Sequence, residues 1–176
     1  MDVPPSLHCA FPVEQLMVCG FDDIFKLRGL NAMTHMANQN CYLLNDDVAK
    51  QLISFIGFRL YPLVSSSLCV TNKFITNGAK FHSVFLRHRI LQLILRLLYS
   101  RCAEYIDKAS SILLSLTSKS FKLFASSLDK ALFNELAELM YSPQAIVRNN
   151  SSEIIEALTE GRGLDEEGEG EEKREG

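Results

Sequence analysis

The sequence predicts an all-α protein built as a short α-solenoid of about three antiparallel helix pairs. Three observations point there. The chain repeats itself at a spacing of 42 residues: Arg89 to Thr117 aligns without a gap on Ala131 to Thr159. Eight positions are identical, among them Leu97/Leu139, Tyr99/Tyr141, Ser100/Ser142, Ile112/Ile154 and Leu116/Leu158. A period of about 40 residues belongs to stacked helical hairpins. Within each copy, apolar residues recur at three- and four-residue steps, which is helical spacing. Helix-start chemistry stands ahead of several of these runs.

The elements follow in order. Residues 1–12 hold three prolines and no periodicity, and read as an irregular leader. Residues 13–160 form the helical-repeat domain. Val13, Leu16 and Met17 suit a short helix stopped by Gly20. Phe21, Ile24, Phe25 and Leu27 suit another, with Asp22 and Asp23 near its positive end. Gly29 ends or bends it, 31–36 suits a continuation, and Asn38 to Asn40 reads as loop.

Asn45-Asp46-Asp47 is a cap followed by first-turn acids. Val48, Leu52, Ile53, Phe55 and Ile56 then form an apolar face. Pro62 breaks this run or starts the next helix, where a first-turn residue needs no N–H partner; this helix covers 63–70. Asn77-Gly78 is a turn. Set 42 residues back, Val48, Leu52 and Ile53 fall on Ile90, Ile94 and Leu95, a degenerate third copy.

Lys80 to Tyr99 reads as one helix, apolar over most of its circumference and so covered on several sides. Its narrow polar stripe is His88, Arg89, Gln92 and Arg96. Ser100 caps the following helix, which turns Ile106, Ala109, Leu113 and Leu116 to one side. Lys119 to Ser127 is a short amphipathic link. Leu128 to Tyr141 points Leu132, Leu136, Leu139 and Met140 inward, and Glu135 and Glu138 outward. Ser142-Pro143 starts the last helix, lined by Ile146, Val147, Ile154, Ile155 and Leu158, and Gly161 ends it. Residues 161–176 are an acidic tail, glycine and charge throughout 165–176, expected to stay disordered.

Leu132 to Leu158 resembles a HEAT-type unit. It has an amphipathic first helix, a tight turn at Tyr141-Ser142-Pro143, Val147-Arg148 early in the second helix, small residues at Ser151 and Ser152, and a closing Ile-Ile-x-x-Leu run. It departs from that pattern where Ser142 replaces the usual turn aspartate and where Tyr105-Ile106 stands for Val147-Arg148. The resemblance, which extends to armadillo arrays, implies stacked helix pairs and a tendency to bind proteins.

Composition narrows the function classes. The net charge is −3, yet seven acids and two bases lie in 165–175, leaving 14 acids against 16 bases elsewhere. A near-neutral body disfavours a dedicated nucleic-acid binder. The five cysteines are odd in number and none has C-x-x-C spacing, so a disulfide framework is not expected. The first residues lack a basic segment followed by a long apolar run, so no signal peptide is expected. Val84 to Leu98 carries Arg87, His88, Arg89 and Arg96, too much charge for a membrane span. The chain therefore reads as intracellular, cytoplasmic or nuclear.

No nucleophile-elbow, zincin or P-loop pattern is present, and no enzyme activity or cofactor is expected. His8-Cys9 with Cys19, and His35 with Cys41, lack metal-ligand spacing, so the thiols read as buried and the imidazoles as surface groups. The overlapping sequons at Asn149 and Asn150 read as chance.

The expected role is a protein–protein scaffold or adaptor, the chain being a fragment, a splice form or a subunit of a larger assembly. Its candidate partner-binding residues are Arg87, Arg89, Arg96, Arg101, Glu104, Arg148, Asn149, Glu153 and Glu156. One alternative is a nucleic-acid or chromatin accessory protein using the basic 80–101 segment, which could equally hold the chain's own acidic tail. Another is a compact regulator that buries a central helix and binds an amphipathic helix.

Overall fold

The structure, a computed structural model, describes residues 23–38, 44–58 and 60–161. The leader, the short helix at 13–17 and the tail beyond Gly161 lie outside the described residues, as does any contact between tail and basic segment.

Among the described residues nine α-helices follow one another: α1 (Asp23–Asn38), α2 (Asp46–Ile56), α3 (Tyr61–Asn77), α4 (His82–Arg87), α5 (Ile90–Leu98), α6 (Ala103–Lys119), α7 (Phe121–Ser127), α8 (Lys130–Glu138) and α9 (Ala145–Glu160). Short 3-10 turns at Ala79–Phe81 and Leu139–Tyr141 precede α4 and follow α8. The antiparallel pairs are α2/α3, α5/α6 and α8/α9. The short helices α4 and α7 lead into the second and third pairs. Contact runs copy by copy, α1 on α3, α3 on α6, α6 on α9, and α2 on α5 on α8. The compact regulator with one central helix is therefore not the arrangement formed.

The 42-residue register governs which side chains are buried. Leu52, Ile94 and Leu136 are equivalent and fully buried. So are Val70, Ile112 and Ile154. Burying each such side chain contributes roughly 1.5–3 kcal/mol. Ser67, Ala109 and Ser151 are likewise equivalent and buried where the third helices of successive copies meet. The hydroxyls of Ser67 and Ser151 have no hydrogen-bond partner, so what these positions supply is small volume. The degenerate third copy, which stands first along the chain, is real: the residues preceding α3, α6 and α9 are Leu60, Cys102 and Gln144, each 42 after the last.

Local signals explain three of the helix starts, those of α2, α3 and α8. Asn45 Oδ1 accepts the Val48 N–H at 2.8 Å, capping α2. Asp129 Oδ1 accepts the Leu132 N–H at 2.9 Å, capping α8. Pro62 occupies the first turn of α3, which runs on to Asn77 rather than stopping at Val70. Gly161 adopts φ +71° and closes α9, a conformation that favours glycine.

Several expectations need correction. α1 runs straight through Gly29. The stretch from Lys80 to Tyr99 is not one helix. It breaks at His88 and Arg89, where Arg89 takes φ +59°, ψ +36°. The break lets α4 bury Phe85 and Leu86 against α2 and α7 while α5 buries Ile90, Ile94 and Leu98 against α6 and α8. Asp46, in the first turn of α2, sits 3.0 Å from Arg87 and 3.4 Å from His88 Nε2, marking the break from across the interface.

The helix starts after Ser100 and Ser142 also differ. Cys102 and Gln144 are the capping residues, and neither side chain caps. Residues 121–127 are a helix anchored by buried Phe124, not a link. Ile146 is half exposed rather than core-lining, while Leu132, Met140, Ile155 and Leu158 are partly buried.

Candidate partner-binding face

α3, α6 and α9 lie side by side, and each keeps one stripe out of the core. Ser65, Ser66, Cys69 and Lys73 lie on the α3 stripe, and Glu104, Lys108, Ser111 and Ser115 on that of α6. Asn149, Asn150, Glu153 and Glu156 continue it on α9. The buried residues of each helix recur at helical steps, which leaves these polar residues as a strip along the uncovered side, with Leu114 and Ile155 half-buried beside them.

Glu104 organises the junction of α3 and α6. Its carboxylate accepts hydrogen bonds from Lys108 one turn on, and from Tyr61 and Ser65 across the interface. The Lys108 bond, then those of Ser65 and Tyr61, hold its pKa down at about 2. The same bond to Glu104, with desolvation and the carboxylate's charge, pushes the Tyr61 phenol up to about 12. Tyr61 stacks on Tyr105 with ring centroids 5.5 Å apart and planes 24° apart. At the other end of the same interface Lys119 donates to the Thr76 carbonyl at 2.7 Å.

Between the starts of α6 and α9 lies a shallow groove of about 310 Å³ lined by Arg101, Ala103, Ile106, Asp107, Gln144 and Ile146. Gln144 Nε2 donates to the Ser100 carbonyl at 3.3 Å, tying the two turns together.

The nine candidate residues divide between two surfaces. Arg101, Glu104, Arg148, Asn149, Glu153 and Glu156 lie on or at the start of α6 and α9. Of these, Arg101, Asn149, Glu153 and Glu156 are exposed. Arg148 is half-buried, and its Nη1 donates to the Ser142 and Pro143 carbonyls at 2.8 and 3.0 Å. Arg87 ends α4, Arg89 stands at the break before α5, and Arg96 lies on α5. Arg87 is paired with Asp46, Arg89 borders a groove with Asp129 and Glu135, and Arg96 borders one with Glu135 and Glu138. The basic segment is thus dispersed and interleaved with acids.

Tyr61, Ser65, Tyr105 and Lys108 were not among the candidates. Lys108 was visible as the partner of Glu104 four residues earlier. Tyr61 and Ser65 become neighbours of Glu104 only through stacking of the copies.

His82 corrects the surface assignment of the imidazoles, because it is fully buried. Cys69 and Cys102, expected to be buried, are partly exposed. Among the described residues no group of three or more His, Cys, Asp or Glu converges as a metal site would. No described helix is long and apolar enough to cross a membrane.

No protein-family model and no curated protein sequence matches the chain. Solved structures match in fold. A designed armadillo repeat protein in complex with the peptide (KR)4 superposes with a TM-score of 0.67 at 14% identity, over 84% of this chain and 63% of that one. A computationally designed armadillo repeat protein for modular peptide recognition gives 0.66 at 12% identity, over 83% and 63%. A further designed armadillo repeat protein gives 0.63 at 14% identity, over 84% and 63%. The chain thus spans 63% of the length of each.

The protein is an α-solenoid. More particularly, its fold is that of an armadillo-type array, with a short helix ahead of each of the last two pairs.

Proposed function

We propose that this protein is a non-catalytic binding module, a scaffold or adaptor that holds a protein partner by an extended segment laid across α3, α6 and α9. The observation that supports it is the alignment of these helices in one 42-residue register, their uncovered stripes forming a single polar strip. An extended chain crossing parallel helices meets uncovered side chains at equivalent positions of each copy, Ser66, Lys108 and Asn150, and Cys69, Ser111 and Glu153, which suits a repeated backbone. The peptide complex of a designed protein with this fold agrees with that use of the surface. Ser, Asn and Glu side chains here supply hydrogen bonds to backbone amides with little bulk. The module would act inside the cell, in cytoplasm or nucleus.

The test is selection of peptides from a random display library on the full chain, followed by titration against variants. Lys108→Ala and Asn150→Ala should each weaken binding several-fold, while Gln92→Ala and Arg96→Ala on the outer face should leave it unchanged. Peptides that bind but lose affinity only with the outer-face variants would refute this assignment of the surface.

A further inference from the structure

The turn between α8 and α9 carries a feature that the binding strip does not use. Ser142 is followed directly by Pro143, and neither is helical. Ser142 has φ −56°, ψ +141°, an extended conformation. Pro143 is exposed, and Tyr141 before it is 86% exposed, the most open of the exposed large apolar residues. The Ser142 hydroxyl oxygen accepts the Gln144 N–H at 3.3 Å. Ser142 itself is half-buried, and among the described residues its hydroxyl accepts this bond without donating one. The equivalent turn one copy earlier has Ser100 followed by Arg101, so the proline is particular to this turn.

The surroundings suit an added anion. Arg148 lies folded over the turn, its Nη1 on the Ser142 and Pro143 carbonyls; its other N–H groups remain as donors. Arg101 stands on the neighbouring turn, lining the groove with Gln144. α9 has no acid in its first turn and no side-chain cap, whereas α6 has Glu104 there.

We propose that Ser142 is a phosphorylation site for a proline-directed serine/threonine protein kinase. In that step Ser142 Oγ attacks the γ-phosphorus of a nucleoside triphosphate. The bond from γ-phosphorus to the bridging oxygen breaks, and the nucleoside diphosphate leaves with its electron pair. The hydroxyl proton passes to the kinase's catalytic carboxylate. The product carries roughly two negative charges beside Arg148 and the start of α9, where they stabilise the turn and reverse the charge at one end of the groove. The site stands independently of what the strip binds.

The full chain is incubated with a proline-directed kinase and ATP, and the products are mapped by peptide mass spectrometry. One phosphoryl group is expected on Ser142, absent from Ser142→Ala and strongly reduced in Pro143→Ala. The phosphorylated protein should melt about 2–4 °C above the unmodified one, and Arg148→Gln should remove that gain while still being phosphorylated. No phosphate on Ser142 of the folded chain overturns the proposal. So does a phosphate there that lowers the melting temperature.

Discussion

His82 Nε2 lies 2.8 Å from the carbonyl oxygen of Ile75, the last buried residue of α3. A carbonyl only accepts, so Nε2 carries the proton, and Nδ1 accepts from the Ser120 hydroxyl at 2.7 Å. One neutral imidazole thereby joins the end of α3, the start of α4 and the α6–α7 junction. Burial, with Lys119 adding to it, lowers its pKa from 6.5 despite the Ile75 bond.

Stability should therefore depend on pH through His82. The folded state resists protonation, while the unfolded chain binds a proton near 6.5. The contribution is complete above that value and is lost as pH falls below it. Thermal melts from pH 8 to pH 5 should show a steeper decline for the native chain than for His82→Gln. His82→Ala should cost about 3 kcal/mol at neutral pH, through a cavity and two stranded groups.

Tyr61 and Glu104 should titrate as linked groups. Ultraviolet titration, taken as the difference from Tyr61→Phe, should place the Tyr61 phenol near 12, and Glu104→Gln should bring it down toward 10. Because the Glu104 pKa is depressed to about 2 from 4.5, its contribution is present above 4.5 and fades as pH falls toward 2. The side chain is 38% exposed, so screening limits the cost of Glu104→Gln to about 1 kcal/mol.

The break at Arg89 should tolerate glycine and reject branched residues. Its φ of +59° costs a side chain roughly 1–2 kcal/mol. Arg89→Gly should be neutral or stabilising in urea denaturation. Arg89→Val should lose about 1–2 kcal/mol beyond it.

Equivalent positions should respond alike. Ile112 and Ile154 are both fully buried, so Ile112→Ala and Ile154→Ala should each cost about 2–5 kcal/mol. Ile146, 50% exposed, should change stability by less than about 0.5 kcal/mol when cut to alanine. Denaturation midpoints of the three variants would separate register from mere hydrophobicity.

The wrong expectations share a cause. Val70, Ile112 and Ile154 were legible because burial at a fixed spacing leaves a fixed apolar pattern. Ile146 was misplaced because one apolar residue beside a buried Val147 looks the same whether it meets a neighbour or water. The break at His88 and Arg89 carries no glycine or proline. Its one trace was the polar triplet Arg87-His88-Arg89 within an apolar run. The candidate face was half legible: Glu104, Asn149 and Glu153 show as polar positions on helices, but Tyr61 and Ser65 lie about 40 residues from the carboxylate they meet.

The sequence by itself determined that the chain is helical, that it repeats every 42 residues, and which side of α2 and α6, and of α9 apart from Ile146, turns inward. These follow from periodicity, which is local and survives without knowledge of neighbours. Only the tertiary structure decided where the most apolar run divides, that His82 is interior, and that the nine candidates fall on two surfaces. Those outcomes depend on which helix each side chain meets in the adjacent copy, and such contacts are settled by packing between distant segments.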